Sequence, residues 1–207
     1  MGLPDLLTTV LIPPLCASCG RSCSSGAIIC RPCAQRLAAA APLVGPAGAG
    51  LDCAWASAPH EGVARELVVA LKFRRLLPVA ELMAERIHWL ARSDLLSGAV
   101  VPVPTSRLRS MGRGFDPAAE IAAALARRTG LPLVPCLTRA GGSRQVGRRR
   151  SQRLGSPPRV RAVGEAPRSA LLVDDVSTTG ATLAACATAL RHAGAARVAA
   201  VTFSRRL

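Results

Sequence analysis

The sequence predicts an α/β fold, a parallel doubly wound sheet with helices on both faces, preceded by a small cysteine-containing module. An apolar run at residues 170–173 leads through a polar loop into a helical pattern at 181–193. A second strand pattern, at 99–104, leads through a loop into another helical pattern at 117–128. Strands that alternate with helices are typical of parallel sheets. Two Cys-x-x-Cys pairs near the amino terminus predict the separate module.

The chain is strongly basic. Its 207 residues include 27 Lys and Arg against 12 Asp and Glu, which gives a formal net charge of +15, and Lys72 is its one lysine. This imbalance suggests polyanionic ligands such as nucleic acid, pyrophosphate or nucleotides. A genome composition that favours arginine codons is the open alternative. With three Phe, two Trp and no Tyr, the sequence argues against a base-stacking platform for single-stranded nucleic acid.

The length and hydropathy predict two units and a cytoplasmic location. We assign residues 1–58 to a zinc-binding module with its linker, and residues 59–207 to the α/β domain. No apolar run reaches the roughly 18–20 residues of a membrane span. Residues 1–15 contain Asp5 and lack the positive start of a signal peptide. We therefore expect a cytoplasmic protein whose cysteines stay reduced.

Four cysteines have the spacing of a structural zinc site. Cys16-x-x-Cys19 and Cys30-x-x-Cys33 form two tight knuckles. Such knuckles bring four thiolates to one tetrahedral Zn²⁺, and they leave no open position for water or substrate. Cys23 is a rival ligand. Disulfides and a redox pair are the alternatives, which a reducing compartment and the lack of a βαβ pattern disfavour.

The middle of the chain predicts helices, a strand and a basic loop. Residues 60–92 have apolar spacings of three and four, which predict a helix broken near Pro78. Prolines mark the carboxyl end of the strand at 99–104. In the loop at 105–115, guanidinium groups interleaved with glycine could clamp a diphosphate, and a solvated basic loop is the alternative. The arginines of this loop are Arg107, Arg109 and Arg113.

Residues 139–168 form an arginine-rich segment. Asp116 and Pro117 begin the helix before it, and residues 131–135 predict a short strand. The segment itself has nine arginines, one acid and no apolar periodicity, which predicts an exposed, mobile stretch. A lid that closes over a bound diphosphate and an arm that contacts nucleic acid fit this composition equally well.

The most informative stretch is the strand, loop and helix start around Asp174 and Asp175. The free N–H groups at the start of a helix suit a phosphate, and a glycine lets the loop curl around it. The two carboxylates suit hydrogen bonds from a vicinal diol, so the stretch predicts a ribose 5-phosphate site. A solvated turn with a Thr/Gly cap is the alternative. The loop residues expected at the phosphate are Ser177, Thr178, Thr179, Gly180 and Thr182.

Residues 173–182, Val-Asp-Asp-Val-Ser-Thr-Thr-Gly-Ala-Thr, resemble the phosphoribosyl-pyrophosphate (PRPP) signature of type I phosphoribosyltransferases. Three further features narrow the resemblance to the ComF family. They are the two cysteine pairs, Ala-Leu-Lys-Phe at 70–73, and the stretch from Val-Pro-Val-Pro to Arg-Gly-Phe at 101–115. The resemblance spans nearly the whole chain. It implies a type I phosphoribosyltransferase fold in which the paired acids hold the ribose 2′ and 3′ hydroxyls.

This resemblance implies Mg²⁺–PRPP as ligand and phosphoribosyl transfer with release of pyrophosphate. Asp174 and Asp175 would hold the diol in catalysis, while Lys72 and the three loop arginines would lie near the diphosphate. Gln145 and Arg153 would come from the lid. Thr178 stands where relatives that act on 6-oxopurines have an acid, which argues against that purine-salvage chemistry because a threonine is no general base near neutral pH. The acceptor is not predicted.

Two non-catalytic hypotheses stay open at the sequence level. One is a PRPP- or nucleotide-sensing protein that binds DNA or RNA through its arginines, and the other is a structural adaptor in a DNA-uptake or repair assembly. ComF-family proteins are associated with DNA uptake during competence in some bacteria. A homodimer is common for the implied fold.

Overall fold

The computed structural model describes residues 14–45, 49–105, 112–139 and 159–206. The helices of this part of the chain are α1 (Arg31–Ala38), α2 (Gly62–Arg74), α3 (Pro78–Leu90), α4 (Pro117–Thr129) and α5 (Ala181–His192). Its strands are β1 (Leu43–Gly45), β2 (Cys53–Ala56), β3 (Ala99–Pro102), β4 (Leu137–Arg139), β5 (Val160–Ala162), β6 (Ser169–Ser177) and β7 (Arg197–Arg205).

Five strands form one mostly parallel sheet in the order β1-β2-β7-β6-β3. Pairs β2–β7, β7–β6 and β6–β3 are parallel, and β1 joins the edge antiparallel to β2. Strands β4 and β5 form a separate antiparallel ribbon. Because parallel strands share one direction, the carboxyl ends of β3, β6 and β7 meet at the same edge of the sheet, where ligands of such folds bind.

Helices cover both faces of the sheet, so the predicted doubly wound α/β fold is confirmed. Successive side chains of a strand point to opposite faces. Leu171 and Val173 of β6 pack with buried residues of α2, α3 and α4. Ala170 and Leu172 pack with α5 and with the β4–β5 ribbon. Four consecutive apolar residues at 170–173, rather than alternating ones, suit a strand that is buried on both sides.

The predicted helix ends are confirmed around two prolines. The predicted break near Pro78 separates α2 from α3, and Pro78 is the first residue of α3, where its missing N–H costs nothing. Asp116 caps α4 by accepting a hydrogen bond from the Ala118 N–H at 3.1 Å. The same carboxylate accepts from Thr105, through the backbone N–H at 3.1 Å and the hydroxyl at 2.9 Å. This contact ties the start of the basic loop to α4.

The structure differs from the sequence predictions at three places. Residues 43–45 of the expected linker form β1, and β2 pairs with β7 in the main sheet. The strand expected at 131–135 is wrong, because only one bridge forms, between Leu133 and Val100, and flanking prolines cannot donate to a longer ladder. Residues 160–162 of the expected mobile segment form β5, while residues 140–158 lie outside the described residues.

The cysteine module packs directly on α2. Buried Cys16, Ala17 and Leu37 belong to the same apolar cluster as the buried side chains of α2. Arg74, near the end of α2, donates to the Ala17 carbonyl. The division of the chain at residue 58 stays a prediction, and the two units share one core. Among the described residues, no helix has both the length and the apolarity that a membrane span requires.

Candidate functional site

The four cysteines of the predicted zinc site lie together. The sulfur atoms of Cys16, Cys19, Cys30 and Cys33 all lie within 4.8 Å of one another, and those of Cys19 and Cys30 are 3.6 Å apart. Four thiolates bound tetrahedrally at about 2.3 Å from Zn²⁺ place their sulfurs roughly 3.8 Å apart. The cluster therefore fits a zinc ion, while Cys23, the expected rival, lies outside it.

Neighbouring groups favour the thiolate form of Cys16 and Cys19, whereas burial raises the pKa of Cys33 to about 12. The backbone N–H groups of Cys30 and Cys19 point at the Cys16 sulfur, at 3.3 and 3.5 Å. A hydrogen bond from the Arg21 side chain lowers the pKa of Cys19 to about 6. Because four thiolates complete a tetrahedral shell, a metal held by all four cysteines has no open position for substrate. The geometry fits a structural site.

The paired acids lie inside β6, at the place where its neighbour ends. Strand β3 stops at Pro102, opposite Val173, whereas β6 continues beside β7 to Ser177. Asp174 and Asp175 therefore occupy the edge of β6 that β3 has left open. A crevice of this kind, at the carboxyl ends of parallel strands, is where the sequence predicted the ligand.

Asp175 points to the face of the sheet that α2 covers. It follows Val173 in the alternation of β6 and is only 5% exposed. The Lys72 ammonium, in the last turn of α2, forms an ion pair with its Oδ2 atom. Lys72 thus lies beside Asp175, and the predictions that Asp175 binds a diol and that Lys72 contacts a diphosphate stay predictions.

Asp174 points to the opposite face, toward α5. Burial raises the pKa of its carboxyl well above the ordinary value of 3.8, and the charge of Asp175 raises it further. Its Oδ1 atom accepts a hydrogen bond from the Asp175 N–H at 2.8 Å. This bond lowers the pKa of Asp174 but offsets only part of the rise. The ionised Asp174 carboxylate is therefore a cost to the fold at neutral pH.

Replacing Asp174 with asparagine is expected to stabilise the fold at pH 7, by about 0.5–2 kcal/mol. Unfolded Asp loses its proton near pH 3.8, and folded Asp174 loses it at a higher pH. Between these values the folded chain holds more protons, so wild-type stability falls as pH rises. Asparagine has no such proton, and the gain should vanish below pH 3.8. Denaturant unfolding across this pH range is the measurement, and a less stable variant at pH 7 would contradict it.

Asp174 and Asp175 line a cavity of about 210 Å³, which we call the acidic cavity. Thr178 and Thr182 of the predicted phosphate loop line it from the start of α5. The other polar side chains of its wall are Lys72, Thr105, Arg113 and Arg139. Hydroxyls, carboxylates and three cations around one small space suit a ligand that carries both hydroxyl and anionic groups.

The predicted phosphate loop divides between two cavities. Ser177, Thr179 and Gly180 line a second cavity, of about 220 Å³, together with Arg205. Gly180 has a φ of 76°, in the left-handed region that favours glycine, and it reverses the chain between β6 and α5. Thr178 and Thr182 therefore line the acidic cavity with their side chains. Ser177, Thr179 and Gly180 line the second cavity, so they could contribute to the acidic cavity only through their backbone.

One of the three predicted loop arginines is described. The Arg113 guanidinium lies 5.3 Å from the centre of the Phe73 ring, a cation–π distance that holds it beside the cavity. Arg107 and Arg109 lie outside the described residues, as do Gln145 and Arg153 of the expected lid. The predicted clamp and lid contacts stay predictions.

Sequence reasoning missed Arg139 and Thr105 as cavity residues. Arg139 was one of many arginines in a basic segment, and nothing local distinguished it from the others. The ribbon of β4 and β5 brings it to the cavity. Thr105 lies in the turn after β3, and its contact with Asp116 becomes visible only when α4 has packed beside that turn.

Comparisons with solved structures find a distant likeness. No protein-family profile matches the chain, and the search of curated proteins finds no match. A solved structure of the allosteric regulatory enzyme of purine biosynthesis is 23% identical, with a TM-score of 0.39. The match covers 59% of this chain and 24% of that one, so this chain spans about a quarter of its length. At this TM-score the likeness carries no argument about function.

Proposed function

We propose that the chain is a phosphoribosyltransferase-like protein of the ComF type that binds Mg²⁺–PRPP in the acidic cavity. The observation that carries the proposal is the grouping of Asp174, Asp175, Thr178 and Thr182 around one space at the carboxyl edge of a parallel sheet. The signature at residues 173–182 supports the same ligand. The overall α/β architecture agrees with the type I phosphoribosyltransferase fold that the resemblance implies.

The ligand's parts match different walls of the cavity. The 5′-phosphate would accept hydrogen bonds from Thr178, Thr182 and the first N–H groups of α5. The 2′ and 3′ hydroxyls would donate to the carboxylates of β6. The diphosphate would extend toward Arg113, on the side where β3 ends. Mg²⁺ would accompany the diphosphate and offset part of its charge.

The reaction that fits this arrangement is displacement at ribose C1. The bond from C1 to pyrophosphate breaks, and the acceptor's nucleophilic atom forms the new bond to C1. The transition state resembles an oxocarbenium ion, so the protein's part is to fix the ribose and to stabilise the departing charge. Asp174 and Asp175 would fix the ring through its diol, while the cations of the cavity stabilise the leaving group.

Calorimetric titration of the zinc-loaded protein with Mg²⁺–PRPP tests the binding. We expect Asp174→Asn to weaken binding about tenfold, because the amide replaces one oxygen that could accept from the diol with an NH₂ group that can only donate. Asp94→Asn is the matched control, because Asp94 is exposed, pairs with Arg92 and precedes β3 at the opposite edge of the sheet. Absence of binding by the folded wild-type protein would overturn the proposal.

A second candidate function follows from the charge. The excess of 15 positive charges favours a PRPP- or nucleotide-sensing protein that binds DNA or RNA, with competence as one setting. Pyrophosphate release with any of a panel of acceptors would establish catalysis. Binding of Mg²⁺–PRPP without turnover, together with salt-dependent binding of nucleic acid, would favour the sensor.

A further inference from the structure

Arg139 differs from the other two cations of the cavity in its contacts. Lys72 is paired with Asp175, and Arg113 lies over the Phe73 ring. Arg139 forms no salt bridge with any described carboxylate. Its Nε atom is buried and has no hydrogen-bond partner among the described residues. A buried donor without a partner is costly, so its environment is incomplete.

The position of Arg139 is fixed by the ribbon that carries it. Leu137 of β4 and the partly buried Val160 and Ala162 of β5 pack with Leu183, Cys186 and other residues of α5. The ribbon therefore covers the α5 face of the sheet, which is the face toward which Asp174 points. Lys72 approaches the cavity from the opposite face.

A second observation places Arg139 near the start of α5. Arg139 lies two residues after Leu137, which belongs to the same buried apolar cluster as Cys186 and Leu183 of α5. Arg139 and Thr182 also line the same cavity. Cys186 is one turn after Thr182, and residues four apart share one side of a helix. Arg139 thus lies on the Thr182 side of the cavity rather than on the side where Arg113 enters.

The missing partner has the chemistry of a phosphate. A guanidinium presents N–H donors in a planar fork that matches two phosphate oxygens. The Thr178 and Thr182 hydroxyls beside it donate to the same kind of group. Asp174 lines the same cavity but forms no salt bridge with Arg139.

We propose that Arg139 binds the terminal phosphate of a ribose 5-phosphate group, together with Thr178 and Thr182. This inference rests on the proposed function and assigns one residue to one part of its ligand. Arg113 would serve the diphosphate from the other side. The ligand would then lie between two cations that enter from different elements.

The test compares Arg139→Gln with Arg161→Gln in titrations of the zinc-loaded protein. Arg161 is exposed on β5 and pairs with Thr138 across the same ribbon, so it makes the same charge change outside the cavity. Three ligands separate the parts of the site: Mg²⁺–PRPP, ribose 5-phosphate and Mg²⁺–pyrophosphate. Thermal unfolding of each variant monitors the fold. Arg139→Lys retains the charge without the fork and tests the same contact if the glutamine variant fails to fold.

We expect Arg139→Gln to weaken PRPP and ribose 5-phosphate binding at least about tenfold, because a charge-assisted contact is lost. Arg139→Gln should bind Mg²⁺–pyrophosphate within about twofold of the wild type, because pyrophosphate lacks the sugar phosphate that Arg139 would contact. Arg161→Gln should bind all three ligands like the wild type, because Arg161 lies outside the cavity. Arg139→Lys should show a smaller loss with the same ligand pattern. If Arg139→Gln leaves ribose 5-phosphate binding unchanged, or weakens only pyrophosphate binding, the role proposed for Arg139 is overturned while the proposed function stands. If the wild type binds neither sugar phosphate, the proposed function and this inference both fail.

Discussion

Replacing Lys72 with methionine is expected to destabilise the protein by about 3 kcal/mol or more, the range for breaking a buried ion pair. The carboxylate of Asp175 has a side chain only 7% exposed, and Lys72 has one 23% exposed. Methionine has a similar length but no charge, so it leaves the carboxylate buried without its cation. Denaturant unfolding measures the loss.

The double variant Lys72→Met/Asp175→Asn separates the ion pair from side-chain packing. It removes both charges, so we expect it to recover most of the lost stability. Asp175→Asn alone should cost less than Lys72→Met, because the freed lysine can extend its ammonium into water.

Arg65→Met is the matched control for Lys72→Met. It breaks the exposed pair of Arg65 and Glu66 on the same helix, for about 0–1 kcal/mol. If Lys72→Met costs no more than this control, the buried ion pair is not the source of stability that the structure indicates.

Removal of the predicted zinc is expected to have the larger effect. Apparent zinc-binding free energies of roughly 10–16 kcal/mol in small Cys/His sites are comparable to the roughly 5–15 kcal/mol that stabilises a whole domain. Cys33 is buried in the cluster, so Cys33→Ser should reduce zinc from about one ion per chain to about none. The loss should extend beyond the module, because Ala17 and Leu37 share the core of α2.

Zinc content and thermal unfolding are the measurements. Cys23→Ser is the control, since Cys23 lies outside the cluster, and we expect it to retain both zinc and stability. Chelation of the wild type should reproduce the Cys33→Ser unfolding curve. A chain that contains no zinc as purified and unfolds at the same temperature with or without chelator would contradict a structural metal.

Loss of the zinc ligands and loss of PRPP binding need not coincide. The cluster contacts α2 through Ala17 and Arg74, and Lys72 lies in the last turn of that helix. We therefore expect Cys33→Ser to weaken Mg²⁺–PRPP binding indirectly, in proportion to the unfolding of α2. Binding that survives in a stable zinc-free chain would show that the cavity forms without the module.

The sequence by itself determined the features that depend on local spacing. The strand, loop and helix around Asp174 follow one another within about twenty residues, so the position of the acids and of Gly180 could be inferred from residue type alone. The same is true of the two cysteine knuckles, because a Cys-x-x-Cys turn needs no distant partner. The capping of α4 by Asp116 is also local.

Only the tertiary structure decided which distant groups meet at these elements. Alternation along β6 turns Asp174 and Asp175 to opposite faces, and packing then gives Asp175 its partner Lys72 from α2. Pairing of β4 with β5 carries Arg139 to the cavity, and pairing of β2 with β7 draws an expected linker into the sheet. These contacts join residues far apart in the chain. Their formation depends on the shape and burial of whole layers, which no local pattern records.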